Sequence, residues 1–158
     1  MAKVILHTSM GEITIVLYDD MPITAGNFKE LAKSGFYDGT KFHRVVSRFV
    51  IQGGCPDGNG TGGPGYTIPD EFIKGHSNIR GTVAMANTGE PNSGGSQFFI
   101  NLVDNTNLDW DDDRTPSAHP VFGEVADMKT ADRIGRVPVG RMNMPLTDVI
   151  IERAEVIE

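Results

Sequence analysis

Glycine and proline are the residues that most constrain the fold of this chain. The 158-residue sequence contains 19 glycines and 9 prolines, and its glycine share is well above the average of about 7%. Both residues interrupt regular elements, because glycine favours turns and proline lacks a backbone N–H donor. The densest stretch, residues 56–69, predicts a long loop. We therefore expect short elements joined by many turns, which excludes a helical bundle.

The hydrophobic pattern between these turns predicts mainly β-strands. Residues rich in Val, Ile and Leu flank Met10-Gly11 and predict a hairpin. The predicted strands are 3–9, 12–18, 41–55 with a kink near Ser47-Arg48, 82–86, 97–103, 121–125 and 148–157, the last with a bulge near Arg153. Strands do not alternate with helices, so a closed or nearly closed antiparallel structure is expected rather than a doubly wound sheet.

Two helices are predicted, over residues 22–35 and 128–134. The first has proline in its first turn and glycine just past its end, which are helix start and stop signals. Its apolar stripe is formed by Phe28, Leu31 and Ala32, at the spacing of one helical face. Residues 104–119 are polar and predict a loop. The whole chain, 1–158, is expected to form a single domain.

Charge and cysteine content exclude several classes of protein. The net charge is −7 and there is no Lys/Arg cluster, so a nucleic-acid partner is not expected. The single cysteine, Cys55, has no internal disulfide partner. The N-terminus lacks the pattern of a signal peptide, and no apolar stretch approaches the ~20 residues of a membrane span. We therefore expect a cytoplasmic protein that is not associated with a membrane.

Four segments are informative by their order and spacing: residues 42–54, 59–63, 85–89 and 95–100. Taken alone, the first is an ordinary core strand with Arg44 outside. Together with Leu108-Asp109 and with the run from His119 to Gly123, the segments resemble the signature of the cyclophilin family. The resemblance extends from about Val4 to Val156.

This resemblance implies a fold, an activity and a set of site residues. The implied fold is mainly β: a closed eight-stranded antiparallel β-barrel capped by two α-helices. The implied activity is rotation about Xaa-Pro peptide bonds, with no metal and no cofactor. We expect Arg44 to be catalytic, because a guanidinium can donate to the proline nitrogen once amide resonance is lost. The implied substrate groove holds Phe49, Val50, Gln52, Ala86, Asn87, Thr88, Gln97, Phe99, Leu108 and His119.

Within that groove, roles follow from residue chemistry. The apolar side chains would hold the proline ring, and Gln52 and Gln97 would orient Arg44. Asn87, through its backbone groups, and Gln52 would hold the flanking carbonyls. For His119, a purely structural role is an equal alternative. The partners implied are Xaa-Pro peptides and unfolded or folding proteins. We expect a monomer, because the sequence has no extra segment for an interface.

Three positions depart from the usual family pattern. Val50 stands where most members carry methionine, and Thr88 where they carry alanine. Asn107 stands where many members have an aromatic residue, which leaves one pocket wall less apolar. We expect this change to weaken binding of cyclosporin, a ligand of the family, more than it affects catalysis.

Two further motifs resemble ligand-binding sequences but lack features that such sites require. Residues 58–63 match G-x-G-x-x-G, but the prolines that follow prevent the helix that a dinucleotide site requires. The acidic run 109–113 lacks the glycine and glutamate of an EF-hand and is interpreted as a solvated loop.

The alternative function for this chain is a proline-peptide binding or chaperone-like module with little catalysis. It would shift isomer populations only at stoichiometric dose, whereas an enzyme accelerates exchange at trace dose.

Overall fold

The computed structural model describes residues 1–112 and 118–158. The strands are β1 (Lys3–Thr8), β2 (Gly11–Leu17), β3 (Arg44–Val46), β4 (Val50–Gly53), β5 (Thr82–Met85), β6 (Phe98–Asn101), β7 (Val121–Val125) and β8 (Ile151–Ile157). The α-helices are α1 (Thr24–Lys33) and α2 (Lys129–Ile134), and short 3₁₀ turns cover Thr106–Leu108 and Arg141–Asn143. Residues 113–117 of the predicted 104–119 loop, which include Asp113 of the acidic run, lie outside the described residues.

All eight strands belong to one antiparallel sheet, in the order β3-β4-β6-β5-β7-β2-β1-β8. Its two end strands are joined indirectly, through the segment that precedes β3. The backbone N–H of Phe42 donates to the Val149 carbonyl at 3.0 Å, and that of Ile151 donates to the Thr40 carbonyl at 2.7 Å. The expected eight-stranded barrel with two helices is thereby confirmed.

The segment 41–55 differs from its prediction. It is not one kinked strand but an antiparallel hairpin, in which Arg44 pairs with Gln52 and Val46 with Val50. The turn places Arg48 in the left-handed region, at φ 59°, where glycine or asparagine is more usual. The sequence offered no glycine there to signal a reversal. The predicted bulge in β8 is confirmed, because His7 pairs with Arg153 and Thr8 with Ile151.

The main core is the large apolar cluster between the sheet and the helices. Alternation along β1 and β2 sends Val4, Leu6 and Ile13 to the same buried face. The predicted stripe of α1 is also buried, and the Phe28 ring lies 5.1 Å from the rings of both Phe98 and Phe122. The helix packs chiefly on β8 and β7, which keeps that side of the barrel closed.

A second, smaller apolar cluster lies apart from the main core. This groove cluster consists of Val50, Ala84, Phe99, Leu108 and Val121, with Tyr18, Phe49 and Ala86 half-buried against it. It arises because successive side chains of a strand point to opposite faces, so that in β6 Phe98 joins the main core and Phe99 the groove cluster. None of the helices described is long and apolar enough to cross a membrane.

Candidate active site

A pocket of about 260 Å³, here called the central pocket, opens above the groove cluster. It gathers nearly all of the residues that the sequence placed in the groove: Arg44, Phe49, Val50, Gln52, Ala86, Asn87, Phe99, Leu108 and His119. Thr88 and Gln97 instead line a neighbouring side pocket of about 340 Å³, which shares Gln52, Ala86 and Asn87 with the central pocket. The two pockets therefore form one continuous groove with the predicted residues along it.

Arg44 projects from β3 at the edge of the central pocket and is held on two sides. Its guanidinium carbon lies 5.9 Å from the centroid of the Phe49 ring, within the range of a cation–π contact. Its Nη1 donates to Oε1 of Gln52 at 3.4 Å, and Gln52 lies directly opposite it in the β3–β4 pairing. A guanidinium has five N–H donors in a fixed fork, and the Gln52 bond uses one of them.

Gln52 is itself oriented by a chain of amide hydrogen bonds. Its Nε2 donates to Oε1 of Gln97 at 3.1 Å. The Nε2 of Gln97 donates to the carbonyls of Gly60 and Gly62, at 2.9 and 3.0 Å. These backbone acceptors fix the direction of both amides, so Gln52 presents its oxygen to Arg44. The glycine-rich loop thus contributes to the orientation of the guanidinium.

His119 lines the central pocket and also makes a structural bond. Its Nδ1 lies 3.1 Å from the Met85 carbonyl, which makes Nδ1 the protonated nitrogen, and its ring meets Phe99 edge-on at 5.1 Å. Burial lowers the pKa of His119, although the Met85 carbonyl and the charge of Asp70 partly offset the effect. A neutral imidazole leaves Nε2 as an acceptor. The structural and pocket-lining interpretations of His119 are therefore compatible.

Asn87 uses its side chain within the protein. Its Nδ2 donates to the Ala118 carbonyl at 2.7 Å, and its Oδ1 accepts from the backbone N–H of Gly89 at 3.0 Å. The backbone of the preceding Ala86 donates to the Gln97 carbonyl. The side-chain amide of Asn87 is thus used to shape the loop that follows β5.

Comparison with known proteins assigns the chain to a family. The profile described as "Cyclophilin type peptidyl-prolyl cis-trans isomerase/CLD" matches residues 3–156. This chain belongs to the cyclophilin family. It is accordingly a peptidyl-prolyl cis-trans isomerase, as the sequence signature predicted, and proteins bearing that name are among its relatives.

Two relatives and one solved structure illustrate how close the similarity is. A peptidyl-prolyl cis-trans isomerase of Synechococcus elongatus is 46% identical over 128 residues, covering 80% of this chain and 82% of that protein. Peptidyl-prolyl cis-trans isomerase-like 1 of Rhizopus delemar is 47% identical over 141 residues, covering 85% and 81%. The crystal structure of a cyclophilin-type isomerase from Cryptosporidium parvum, determined in the presence of the dipeptide Ala-Pro, matches with a TM-score of 0.89 at 29% identity and covers 99% of each chain.

The structure also reveals residues of this cyclophilin site that the sequence did not suggest. Three buried asparagines, here called the asparagine relay, connect one wall of the central pocket to a carboxylate. Asn105 donates to the Phe49 carbonyl at 3.1 Å and to Asn101 at 2.9 Å; Asn101 donates to Asn78 at 3.1 Å, and Asn78 to Asp109 at 2.8 Å. All four polar residues are buried, so the expectation that the acidic run 109–113 is solvated is wrong for Asp109. Hydrogen bonds aligned in one direction polarise and strengthen one another.

The far end of the relay supports the opposite pocket wall. Asp109 follows Leu108 directly, and its carboxylate also accepts from the Ser77 hydroxyl and from the backbone N–H of Asn78. The Nδ2 of Asn78 reaches the His119 carbonyl at 3.4 Å. The relay thus connects the backbone of Phe49 with those of Leu108 and His119. Its members are 4 to 31 residues apart along the chain, which is why no local motif reveals it.

Proposed function

We propose that Arg44 is the catalytic residue of this isomerase, and that its substrates are Xaa-Pro segments of peptides and of folding proteins. The observation that carries the proposal is a guanidinium, fixed by Phe49 and Gln52, at the rim of an apolar pocket. The Cryptosporidium parvum cyclophilin, whose crystal structure was determined in the presence of Ala-Pro, supports the choice of substrate.

The chemical task is to lower a rotation barrier. The peptide C–N bond has partial double-bond character, with a barrier of about 18–20 kcal/mol. Uncatalysed Xaa-Pro isomerisation takes tens to hundreds of seconds. Reaching milliseconds needs roughly 5–7 kcal/mol of stabilisation that the planar ground state does not receive. No covalent step is required for such a rotation.

Arg44 supplies stabilisation of that kind. When the bond twists, resonance is lost and the proline nitrogen becomes pyramidal, with a lone pair that accepts a hydrogen bond. The guanidinium is always protonated, so it donates to this nitrogen at any physiological pH. The planar amide nitrogen offers no such acceptor, and the interaction therefore lowers the barrier rather than tightening ground-state binding.

The central pocket holds the part of the substrate that stays still. Val50, Phe99 and Leu108 are all buried and present an apolar floor suited to a proline ring. Burying the ring fixes one side of the rotating bond while the other side turns. The apolar surroundings also lower the local dielectric, which strengthens the bond from Arg44.

The remaining proposals concern partners, location and domain organisation. We propose a monomeric cytoplasmic protein with no nucleic-acid or membrane partner, whose residues 1–158 form one domain. The single-domain proposal is supported by the pairing of β1 with β8, which joins the two ends of the chain in one sheet. The net charge of −7 is consistent with a protein that does not bind phosphate backbones. Sedimentation velocity would test the monomer.

For cyclosporin we propose weak binding, because Asn107 lies in the 3₁₀ turn beside Leu108, where many cyclophilins carry an aromatic residue. Asn107→Trp is expected to tighten binding at least tenfold, about 1.4 kcal/mol, in a calorimetric titration. Equal affinities of the two proteins would refute this explanation.

The test of the catalytic proposal is two-dimensional exchange NMR on an Ala-Pro peptide with trace amounts of protein. Wild type is expected to accelerate exchange. Arg44→Ala is expected to remain folded but to lower the catalysed exchange rate 10²-fold or more, equivalent to about 2.7 kcal/mol. The matched control is Arg48→Gly, which removes a guanidinium from the same hairpin at a position whose φ of 59° suits glycine. No acceleration at trace dose, with isomer populations that shift only at stoichiometric dose, would instead indicate a proline-peptide binding module.

A further inference from the structure

A third cavity lies on the other side of Arg44. This Arg44 cleft has a volume of about 510 Å³ and is lined by His43, Arg44, Gln52, Asn59, Gly60, Met142, Asn143 and Met144. It shares Arg44 and Gln52 with the central pocket. Consecutive residues of an extended peptide are about 3.3–3.6 Å apart. A peptide whose proline occupies the central pocket therefore has flanking residues within reach of the cleft.

His43 gives this cleft an unmet hydrogen-bonding group. The residue is only 4% exposed, and neither ring nitrogen has a hydrogen-bond partner among residues 1–112 and 118–158. Leaving a buried polar group unpaired costs about 1–3 kcal/mol. Both ring nitrogens are closed to solvent in the unliganded protein, so a ligand group in the cleft would recover part of this cost by drawing the His43 ring toward it.

The protonation state of His43 decides what that ligand group is. Burial and the nearby charge of Arg44 both lower the pKa of His43, and the nearby Lys41 carbonyl partly offsets this shift. That carbonyl does not lie in hydrogen-bond geometry to either ring nitrogen. The ring is therefore neutral at pH 7, with one donor nitrogen and one acceptor nitrogen. A hydroxyl or an indole N–H can satisfy the acceptor.

Two methionines give the cleft an apolar rim. Met142 is 77% exposed, and its backbone is in the left-handed region at φ 59°. The turn that presents it is held at its ends, because the Gly140 N–H donates to the Met144 carbonyl at 2.9 Å and the Leu146 N–H to the Pro138 carbonyl at 3.0 Å. Thioethers adapt to varied shapes and make favourable contacts with aromatic rings.

Arg44 argues against an acidic occupant. A carboxylate in the cleft would pair with the guanidinium in the ground state and divert it from the proline nitrogen, which would oppose catalysis. A neutral aromatic side chain avoids this competition.

We infer that the Arg44 cleft is a further specificity subsite, which takes an aromatic side chain with a hydrogen-bonding tip, such as tyrosine, from a residue flanking the Xaa-Pro bond. The aromatic ring packs against Met142 and Met144, and the hydroxyl bonds to His43 once the imidazole turns toward the cleft. This inference rests on the proposed function, because Arg44 and the central pocket must hold the Xaa-Pro unit for the flanking residue to reach the cleft.

The test uses the peptide Ala-Ala-Ala-Pro-Ala-Ala and variants with tyrosine or phenylalanine at one flanking position at a time. With wild type, tyrosine at one position is expected to raise kcat/KM for exchange at least tenfold over alanine, with phenylalanine in between. Met142→Gly, which the positive φ tolerates, is expected to lose most of this gain while exchange of the all-alanine peptide is unchanged. The control is Leu146→Ala, which truncates a 71% exposed side chain in the same segment outside the cleft lining.

Direct binding separates this inference from the proposed function. The affinity of each peptide and the ¹⁵N shifts of the His43 ring are measured by NMR titration. The ring nitrogens are expected to shift with the tyrosine peptide but not with the phenylalanine peptide. If no position gains tenfold, or if Met142→Gly keeps the gain, the subsite is overturned, whereas exchange of the all-alanine peptide still tests the proposed function. If that peptide is bound but not accelerated, the proposed function fails, and the His43 shifts and relative affinities still decide the subsite.

Discussion

Two neighbouring residues of β6 belong to two different regions of the molecule. Phe98 is fully buried in the main core, where its ring meets those of Phe28, Tyr37 and Phe42 edge-on at 5.1 to 6.0 Å. Phe99 belongs to the small groove cluster and lines the central pocket. The main core is surrounded by further apolar side chains, whereas the groove cluster is open on one face and supported by the asparagine relay. One strand thus supplies stability on one face and a binding surface on the other.

The largest expected effect is a loss of stability when the main core is disrupted at Phe98. Phe98→Ala removes an aromatic side chain that other rings enclose, and such truncations cost about 3–5 kcal/mol of the free energy of unfolding. Urea denaturation measures the loss. If any folded fraction remains, its kcat/KM per folded molecule is expected to stay near that of wild type.

The matched change on the groove side is Phe99→Ala. Because the groove cluster is small and open, we expect a smaller loss of stability than for Phe98→Ala. The proline ring loses an apolar wall worth roughly 1.5–3 kcal/mol, so kcat/KM is expected to fall about 10- to 100-fold. Equal stability losses and unchanged kinetics for this pair of variants would remove the distinction between the two regions.

A smaller effect is expected from the polar support of the groove. Asn105→Ala leaves the Phe49 carbonyl without its side-chain donor and removes the donor to Oδ1 of Asn101. The cost is about 1–3 kcal/mol of stability, and KM is expected to rise because the Phe49 wall is no longer fixed. Unfolding and steady-state exchange are measured on the same sample. A stability loss with unchanged KM and kcat would make the relay purely structural.

The sequence predicted the barrel and most of the groove for a physical reason. Hydrophobic periodicity is local, so strands, both helices and the β8 bulge could be placed from neighbours along the chain. The family signature then predicted that Arg44, Phe99 and His119 share one pocket, because the barrel brings their strands and loops together.

What the sequence did not predict depends on contacts between distant segments or on unusual backbone. A kink was predicted near Arg48, but its left-handed backbone reverses the chain into a hairpin. No glycine in the sequence indicates this reversal. The relay pairs Asn78 with Asp109 across 31 residues. Met142 reaches the Arg44 cleft from a segment with no predicted element. Each of these arises from tertiary packing that single-residue preferences do not encode.

The central claim is that Arg44 acts on the twisted transition state and not on the bound ground state. The most direct test is to measure kcat and peptide affinity separately for Arg44→Lys, which keeps the positive charge but replaces the planar fork with a compact ammonium. We predict that kcat falls about tenfold or more, equivalent to about 1.4 kcal/mol, while the dissociation constant of the peptide stays within about twofold of wild type. An unchanged kcat with a weakened dissociation constant would show that Arg44 merely binds the substrate, and would contradict the account.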